Sequence, residues 1–441
     1  MAETLTRVAI IGAGYAGMAA ATELATHGIP VTVFESSRVL GGRARATETN
    51  GITVDNGQHI MIGAYRETLR LMRQVGADPQ RLLLRLPLTL AYPGQLRIAA
   101  PRLPAPLHLA VGLLGARGLA WSDKFAAIRF MQALKHHGFR LPEQAEDCSV
   151  SALLDAHRQP DRLRTYLWEP LCVAALNTTA DAASAQVFLN VLRDSLAAGR
   201  SASDLLLPRV DLGAMFPVPA AAYISARGGQ VLRNSAIRSI ERSASGTYTL
   251  QAEDGSRSSY AHVIVAVAPY HVPPLVENLA QLDGLLRALG SLRFEPIITC
   301  YLGYPQPVRL PEAMLGHAGG VMQWLFDRGQ LGGPAGLLAA VISARGRHLE
   351  LSNVELTQRI HAEIAGIVPN LPTPLWSQVI TEKRATFSCS PNLYRPAMAT
   401  PLPGLLLAGD YVAGEYPATL ETAVRSGIQA AASVLGQAPG G

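Results

Sequence analysis

The chain is poor in cysteine, lysine and charge. Its four cysteines, Cys148, Cys172, Cys300 and Cys389, are scattered over 441 residues with no CxxC pair. That spacing argues against a disulfide framework, predicts no metal site, and fits a reducing compartment. Charged residues make up 16% and aromatic residues 6%, against 49% hydrophobic. This balance is apolar for a water-soluble enzyme and suits an oily ligand or a membrane surface. Repeats and low-complexity tracts are missing. Long hydrophobic runs are scarce as well: Val8–Ala25 is nearly uncharged, but its glycines and Glu23 argue against a signal anchor. A cytoplasmic protein is expected, attached at most peripherally to the inner face of the cytoplasmic membrane. The length suffices for two or three domain-sized units.

Charge of one sign is also missing locally. Between Arg97 and Arg140 lie Arg97, Arg102, Arg117, Lys124, Arg129, Lys135 and Arg140 against the single acid Asp123, an excess of +6 where the whole chain carries +5. These cations alternate with Leu, Val, Phe, Trp and Met rather than forming a polar stripe. The pattern favours an anionic lipid surface over nucleic acid, although a solvated face beside a core helix fits equally well.

What the sequence has in abundance is an ordered beginning. Val8–Ile11 is apolar, Gly12-Ala13-Gly14-Tyr15-Ala16-Gly17 follows, an Ala-rich segment runs to Gly28, and Val31–Phe34 is apolar again. The pattern predicts strand, tight turn, helix, strand. Gly12 permits the turn, Gly14 lets backbone approach a pyrophosphate, and Gly17 allows close helix packing. The helix N-terminus presents free N–H groups and a positive dipole end to phosphates. Glu35 closes the second strand, where a carboxylate accepts from an adenosine ribose and disfavours a 2′-phosphate. FAD or NAD is expected, not NADP.

Next come Leu40-Gly41-Gly42-Arg43, a loop with a fork-shaped cation suited to clamping a diphosphate, and a polar loop, Asp55-Asn56-Gly57-Gln58-His59. Pro87–Pro106 is proline-rich and marks an exit from the first unit. Helical patterns follow at Ser122–His137, with Ser122 as N-cap, and at roughly 149–157, 162–176 and 184–198. Strands are predicted at 230–232, 237–242, 248–252 and 262–268, with an Asp254-Gly255 turn joining the last two. One helix is expected near 354–367. A strand ending in Gly409-Asp410 precedes a helix starting at Pro417, whose apolar stripe is Leu420, Val424, Gly427, Ile428, Ala431 and Leu435. Ala438-Pro439-Gly440-Gly441 reads as a tail.

Three separated glycine-bearing pieces and a late helix imply a long cofactor. NAD needs little beyond the first unit. FAD accounts for the rest if Asp410 accepts a ribityl hydroxyl and the late helix points its N-terminus at the isoalloxazine, where it stabilises negative charge.

These residues resemble the flavin-dependent amine oxidase and phytoene desaturase superfamily. The combination of Val54–Ile60 with Glu382–Phe387 and Ala408–Gly427 is similar to the squalene-associated FAD-dependent enzymes, the hydroxysqualene dehydroxylases. The resemblance is strong at both ends and thin across 100–300; His262 departs from it, standing where an acid is frequent. It places Gly12, Gly14, Ala16, Gly17, Glu35, Gly42, Arg43, Gly57, Gly409 and Asp410 on FAD, and the backbone of Thr419 and Leu420 near the flavin. It implies that hydroxysqualene loses water and gains hydride to give squalene, in squalene or hopanoid biosynthesis, with the reductant left open. A proton donor is then needed, and the candidates are His59, Asp55, Tyr416 and Glu421, with His59 ranked first although a structural histidine would look the same. Arg384 would fix flavin or alcohol, or pair at the surface. A lysine–water pair at the flavin would have to come from Lys383.

The expected architecture is α/β: a discontinuous Rossmann-like FAD-binding domain from 1–85, 210–280 and 385–441, with an inserted mixed α+β substrate domain from 86–209 and 281–384 that faces substrate and membrane. The alternatives are a carotenoid-type desaturase, and an isoprenoid-binding escort-like protein without redox chemistry.

Overall fold

Apolar β-branched runs make the central sheet. In the computed structural model, which describes residues 7–142 and 144–436, five parallel strands lie in the order Gln230–Leu232, Val31–Phe34, Val8–Ile11, His262–Val265, Leu405–Leu407. The tail read at 438–441 is outside the described residues. A parallel sheet is covered on both faces, so its strands must be apolar on both. Val8, Ile10, Val33, Ile264 and Leu406 pack into one core, and Ala9, Ile11, Phe34, Val263, Val265 and Leu407 into the other. Burying each of the larger side chains contributes about 1.5–3 kcal/mol.

On the first face lie the helix Tyr15–Thr26 and the closing helix Leu420–Val434. They approach to backbone contact: a Cβ on Gly427 would stand 2.1 Å from the Ala16 carbonyl oxygen. Gly17 is equally constrained, since its Cβ would meet the Gly12 oxygen at 1.9 Å. On the second face sits an antiparallel sheet of Ile237–Arg242, Tyr248–Ala252 and Arg257–Tyr260, with the Tyr260 ring edge-on to Phe34.

A second five-stranded sheet is antiparallel, in the order Met314–Gly316, Trp324–Asp327, Leu337–Ser343, Phe294–Gly303, Trp376–Phe387. Alternation divides its side chains. Cys300, Leu302, Leu325, Leu338 and Ala340 pack under the helix Asn353–Ala365, while Tyr301, Trp324, Phe326 and Val341 face the first sheet's side of the molecule. That helix begins with a reciprocal cap, in which Ser352 accepts from the Glu355 N–H and Glu355 accepts from the Ser352 N–H. A largely helical stretch, 107–202, precedes the edge strand Gln230–Leu232 in the chain.

Several local expectations are corrected. Asp254-Gly255 turns into Arg257–Tyr260, a strand not among those expected; His262–Val265 belongs to the parallel sheet instead. Helix Trp121–His136 starts one residue before Ser122, with Asp123 accepting from the Ala120 N–H. The segment expected at 162–176 is helical but widens into a π turn at Arg164–Trp168. That turn closes just ahead of Pro170, whose ring and missing N–H disrupt an α turn there. The closing helix starts at Leu420, not Pro417: Thr419 caps it by accepting from the Thr422 N–H, and Pro417 lends only its carbonyl, to the Thr422 hydroxyl.

The helix contact at Gly427 gives a measurable expectation. Gly427→Ala should cost about 1–3 kcal/mol through overpacking, read as a lower urea midpoint. Gly284→Ala, in the helix Asp283–Ser291 with nothing within 4 Å of the added carbon, should be neutral or stabilising by up to about 1 kcal/mol.

Candidate functional site

The turn Gly12–Gly14 is tied down from three sides. The Gly12 N–H donates to the Phe34 carbonyl at 2.8 Å, the Ala13 N–H to Glu35 Oε2 at 2.8 Å, and the Gly41 N–H to the Ala13 carbonyl at 2.9 Å. Gly12 has φ +106°, and a Cβ there would press to 2.7 Å of the Ala266 oxygen. Gly14 is different: a Cβ on it would find its nearest neighbours at 3.9 Å. Space has therefore been left in front of the first helix, whose N-terminus carries no side-chain cap and no acid in its first turn. An uncapped helix start facing open space, with a buried carboxylate one strand away, is what a nucleoside diphosphate requires.

A cavity of about 760 Å³ runs from this turn, within the range of roughly 300–1,000 Å³ typical of ligand sites. Of the residues expected on FAD, Gly12, Gly14, Ala16, Glu35, Gly42, Arg43, Gly57, Gly409, Asp410, Thr419 and Leu420 line it; Gly17 does not, being turned against the Gly12 oxygen and Ala266. Its other walls include Ile60, Ala174, Ala175, Ile297, Trp324, Phe326 and Val341, the inward row of the antiparallel sheet and its neighbours. One cavity thus joins a glycine-rich polar part to an apolar part.

Arg43 is not a free clamp. Its guanidinium donates to Asp410 Oδ1 at 2.5 Å and to the Ala385 carbonyl at 2.7 Å. The two residues expected to hold separate parts of the cofactor hold each other, and so fasten the loop after the second strand to the strand end at Gly409. Gly409 is needed for a further reason, since a Cβ would stand 2.5 Å from the Tyr411 ring. Tyr411 lines the cavity, and its hydroxyl is buried without a hydrogen-bond partner among the described residues.

The acid candidates are dispersed. His59 lines the main cavity; its Nδ1 donates to the Gly57 carbonyl at 2.7 Å, which leaves Nε2 as the free nitrogen, and burial lowers its pKa from the usual histidine range. Asp55 lies outside the cavity wall. It is 1% exposed, and its carboxylate accepts from the Leu212 N–H at 2.8 Å, joining the polar loop to the helix at 212–215. Tyr416 and Glu421 line a second cavity of about 280 Å³ that shares Tyr65, Ala175 and Thr419 with the first. The Tyr416 hydroxyl donates to Asp194 and accepts from Arg193. Glu421 accepts from the N–H groups of Glu67 and Thr68 and from Arg425, capping the helix Arg66–Gln74.

Arg384 is exposed and stacks over Tyr270 at 4.6 Å, outside the cavity that Tyr270 lines; Lys383 is exposed too. A charged side chain from this strand that does reach the cavity is Glu382. Strict alternation would give Glu382, Arg384 and Thr386 one face. The pairing of Ile297 with Glu382 and of Glu295 with Thr386 shows extra residues bulged between them, so Arg384 turns outward. Tyr65 and Tyr270 were not among the expected site residues; Glu382 and Tyr411 stood within the stretches Glu382–Phe387 and Ala408–Gly427 but were given no role.

The family described as Flavin containing amine oxidoreductase matches residues 15–435. Two hydroxysqualene dehydroxylases are similar over nearly the full length. That of Rhodopseudomonas palustris is 30% identical, covering 97% of this chain and 98% of that protein. That of Sinorhizobium fredii is 29% identical, with 98% of each covered. Among solved structures, a putrescine oxidase bound to putrescine superposes with a TM-score of 0.75 at 18% identity, over 98% of this chain and 99% of that one.

Asp55 supplies a pH test. Burial pushes its carboxyl up to about 7 from an ordinary 3.8. Between those values the folded protein holds a proton that the unfolded chain releases, so stability falls as pH rises toward 7 and stays lower above it. Asp55→Asn keeps an acceptor for Leu212 and removes the charge. Its urea midpoint should be nearly the same at pH 5 and pH 8, where the parent's drops by the equivalent of about 1 kcal/mol or more.

Proposed function

The chain belongs to the flavin containing amine oxidoreductase family and is an FAD-dependent oxidoreductase, and from that premise we propose that it reductively dehydroxylates hydroxysqualene to squalene. The observation that carries this reading is similarity to hydroxysqualene dehydroxylases along almost the whole of both chains, at 28–30% identity. The cavity supports it, because an apolar wall of Ile60, Ile297, Trp324, Phe326 and Val341 continues from the cofactor-facing glycines and suits an isoprenoid chain.

The balance of the reaction sets what the protein must do. The C–O bond breaks, the oxygen takes a proton and leaves as water, and a hydride replaces it on carbon. FAD, when bound and reduced, would supply that hydride. The Gly12–Gly14 turn, Glu35 and the start of the closing helix would hold the cofactor, with the Arg43–Asp410 pair fixing the loops around it. Hydroxide is a poor leaving group, so a proton must be delivered to the alcohol. We assign this to His59: its Nδ1–H is committed to the Gly57 carbonyl, so the proton to be given is carried on Nε2. The aliphatic and aromatic wall excludes water that would otherwise capture the ionised carbon.

Anaerobic mixing of photoreduced protein with hydroxysqualene tests the reaction. Squalene should appear in proportion to the flavin oxidised. Absence of squalene, together with desaturation of an isoprenoid lacking the hydroxyl by the oxidised protein, would favour the desaturase reading. A purified chain without flavin would favour the escort-like one.

His59→Gln should lower kcat by about 100-fold or more while leaving flavin content and absorption unchanged. Because burial lowers the pKa of His59, its protonated fraction grows toward acid, and the parent's kcat should rise as pH falls through 7. The variant should lose that slope.

A further inference from the structure

The surface shows one concentrated departure from a soluble protein's pattern. Twelve large hydrophobic side chains are exposed among the described residues, and six of them, Leu103, Leu107, Val111, Leu114, Trp121 and Phe125, fall within 23 consecutive positions. Scattered single exposures need no explanation, but a cluster does.

The helix Leu107–Leu114 is turned the wrong way for a surface helix. Its inward positions are the small or polar ones: His108, whose Nε2 meets Ser203 Oγ at 3.2 Å, and Gly112, where a Cβ would come within 3.0 Å of the Ala99 oxygen. Leu107, Val111 and Leu114, at i, i+4 and i+7, point away from the protein. Helix Trp121–His136 continues the face. Trp121, 62% exposed, and Phe125, 56% exposed, lie with ring centroids 6.2 Å apart, and Arg129 follows one turn later on the same stripe. Buried Lys124 joins the two helices, donating to the Leu114 carbonyl at 2.7 Å with its ammonium 4.7 Å from the Trp121 ring.

Charge narrows the choice of partner. Of the seven cations read between 97 and 140, Lys124 is buried and Arg97 is paired with Glu312, while Arg102, Arg117, Arg129, Lys135 and Arg140 are exposed. An apolar ridge bordered by Arg102, Arg117 and Arg129 is complementary to an anionic bilayer surface: the ridge enters the acyl boundary and the guanidiniums meet headgroup phosphates. Eight helical residues span about 12 Å at roughly 1.5 Å per residue, too short to cross, so the helix lies in the plane of the interface.

We propose that Leu103–Arg129 is the surface by which this protein docks on anionic lipid. The surface is also linked by hydrogen bonds to a wall of the second cavity. Ser203, which holds His108, is flanked by Ala202 and Asp204, whose carbonyls accept from the N–H groups of Ala64 and Gly63, and Ala64 lines the second cavity. The proposal does not depend on which isoprenoid is turned over.

Flotation of the flavin-loaded protein with vesicles of phosphatidylcholine, with and without phosphatidylglycerol, tests it. The protein should float with the phosphatidylglycerol vesicles and largely fail to float with pure phosphatidylcholine. The double variants Trp121→Glu/Phe125→Glu and Arg117→Glu/Arg129→Glu should each reduce partitioning by about tenfold or more, with flavin content and melting temperature unchanged. Trp121→Phe should still float, but should lose the blue shift of tryptophan emission that vesicles induce in the parent. Undiminished flotation of both double variants would overturn the proposal. So would a dimer in gel filtration that Trp121→Glu/Phe125→Glu dissociates, in a protein that never floats, since the face would then be covered by a second copy.

Discussion

Everything in this molecule is hung on a contact between its first and last helices. Gly427 in the closing helix lies against the Ala16 carbonyl of the first helix, with no room for even a methyl group between them. That approach lets the late helix start, at Thr419-Leu420, in the same cavity as the glycine turn at 12–14. It also brings Gly409-Asp410 opposite Arg43, where an ion pair joins residues 367 positions apart in the chain. Without the approach there would be half a cofactor groove and no carboxylate for a half-buried guanidinium.

The first 35 residues were legible because a dinucleotide turn is local. Strand, glycines, helix and acid follow one another in sequence; Gly12 and Gly17 leave no room for a side chain, and Gly14 leaves space open in front of the helix. The parallel sheet and the closing stripe from Leu420 to Leu435 were readable on the same grounds of periodicity. The rest of the site was not, because it is made by register. Arg384 was expected from the resemblance at Glu382–Phe387, but extra residues bulge between the pairs Ile297–Glu382 and Glu295–Thr386, and Glu382 and Thr386 reach the cavity while Arg384 does not. Asp55 and Tyr416 stood beside the right motifs; their partners, Leu212 and Asp194, lie 157 and 222 positions away and no local pattern announces them. The short strand Arg257–Tyr260, with its run of serines, has little apolar signal of its own and exists because Tyr248–Ala252 supplies a ladder.

The cavity's character follows from which sheet faces it. The parallel sheet contributes strand ends, backbone N–H groups and small residues, a surface suited to phosphate and ribose. The antiparallel sheet contributes whole side chains from alternate positions, Trp324, Phe326 and Val341 among them. A ligand lying across both therefore meets hydrogen-bonding backbone at one part and hydrocarbon at another.

The edge position of Leu405–Leu407 has a consequence for how the protein is made. This strand and the helix after it emerge from the ribosome about 400 residues behind the glycine turn they complete, a delay on the order of half a minute at typical elongation rates. Until then the strand His262–Val265 has only Val8–Ile11 beside it, and its other edge stands unpaired. Capture of the cofactor is thereby postponed until the closing helix has been made, and a chain cut short by premature termination leaves an open strand edge for quality-control machinery to recognise.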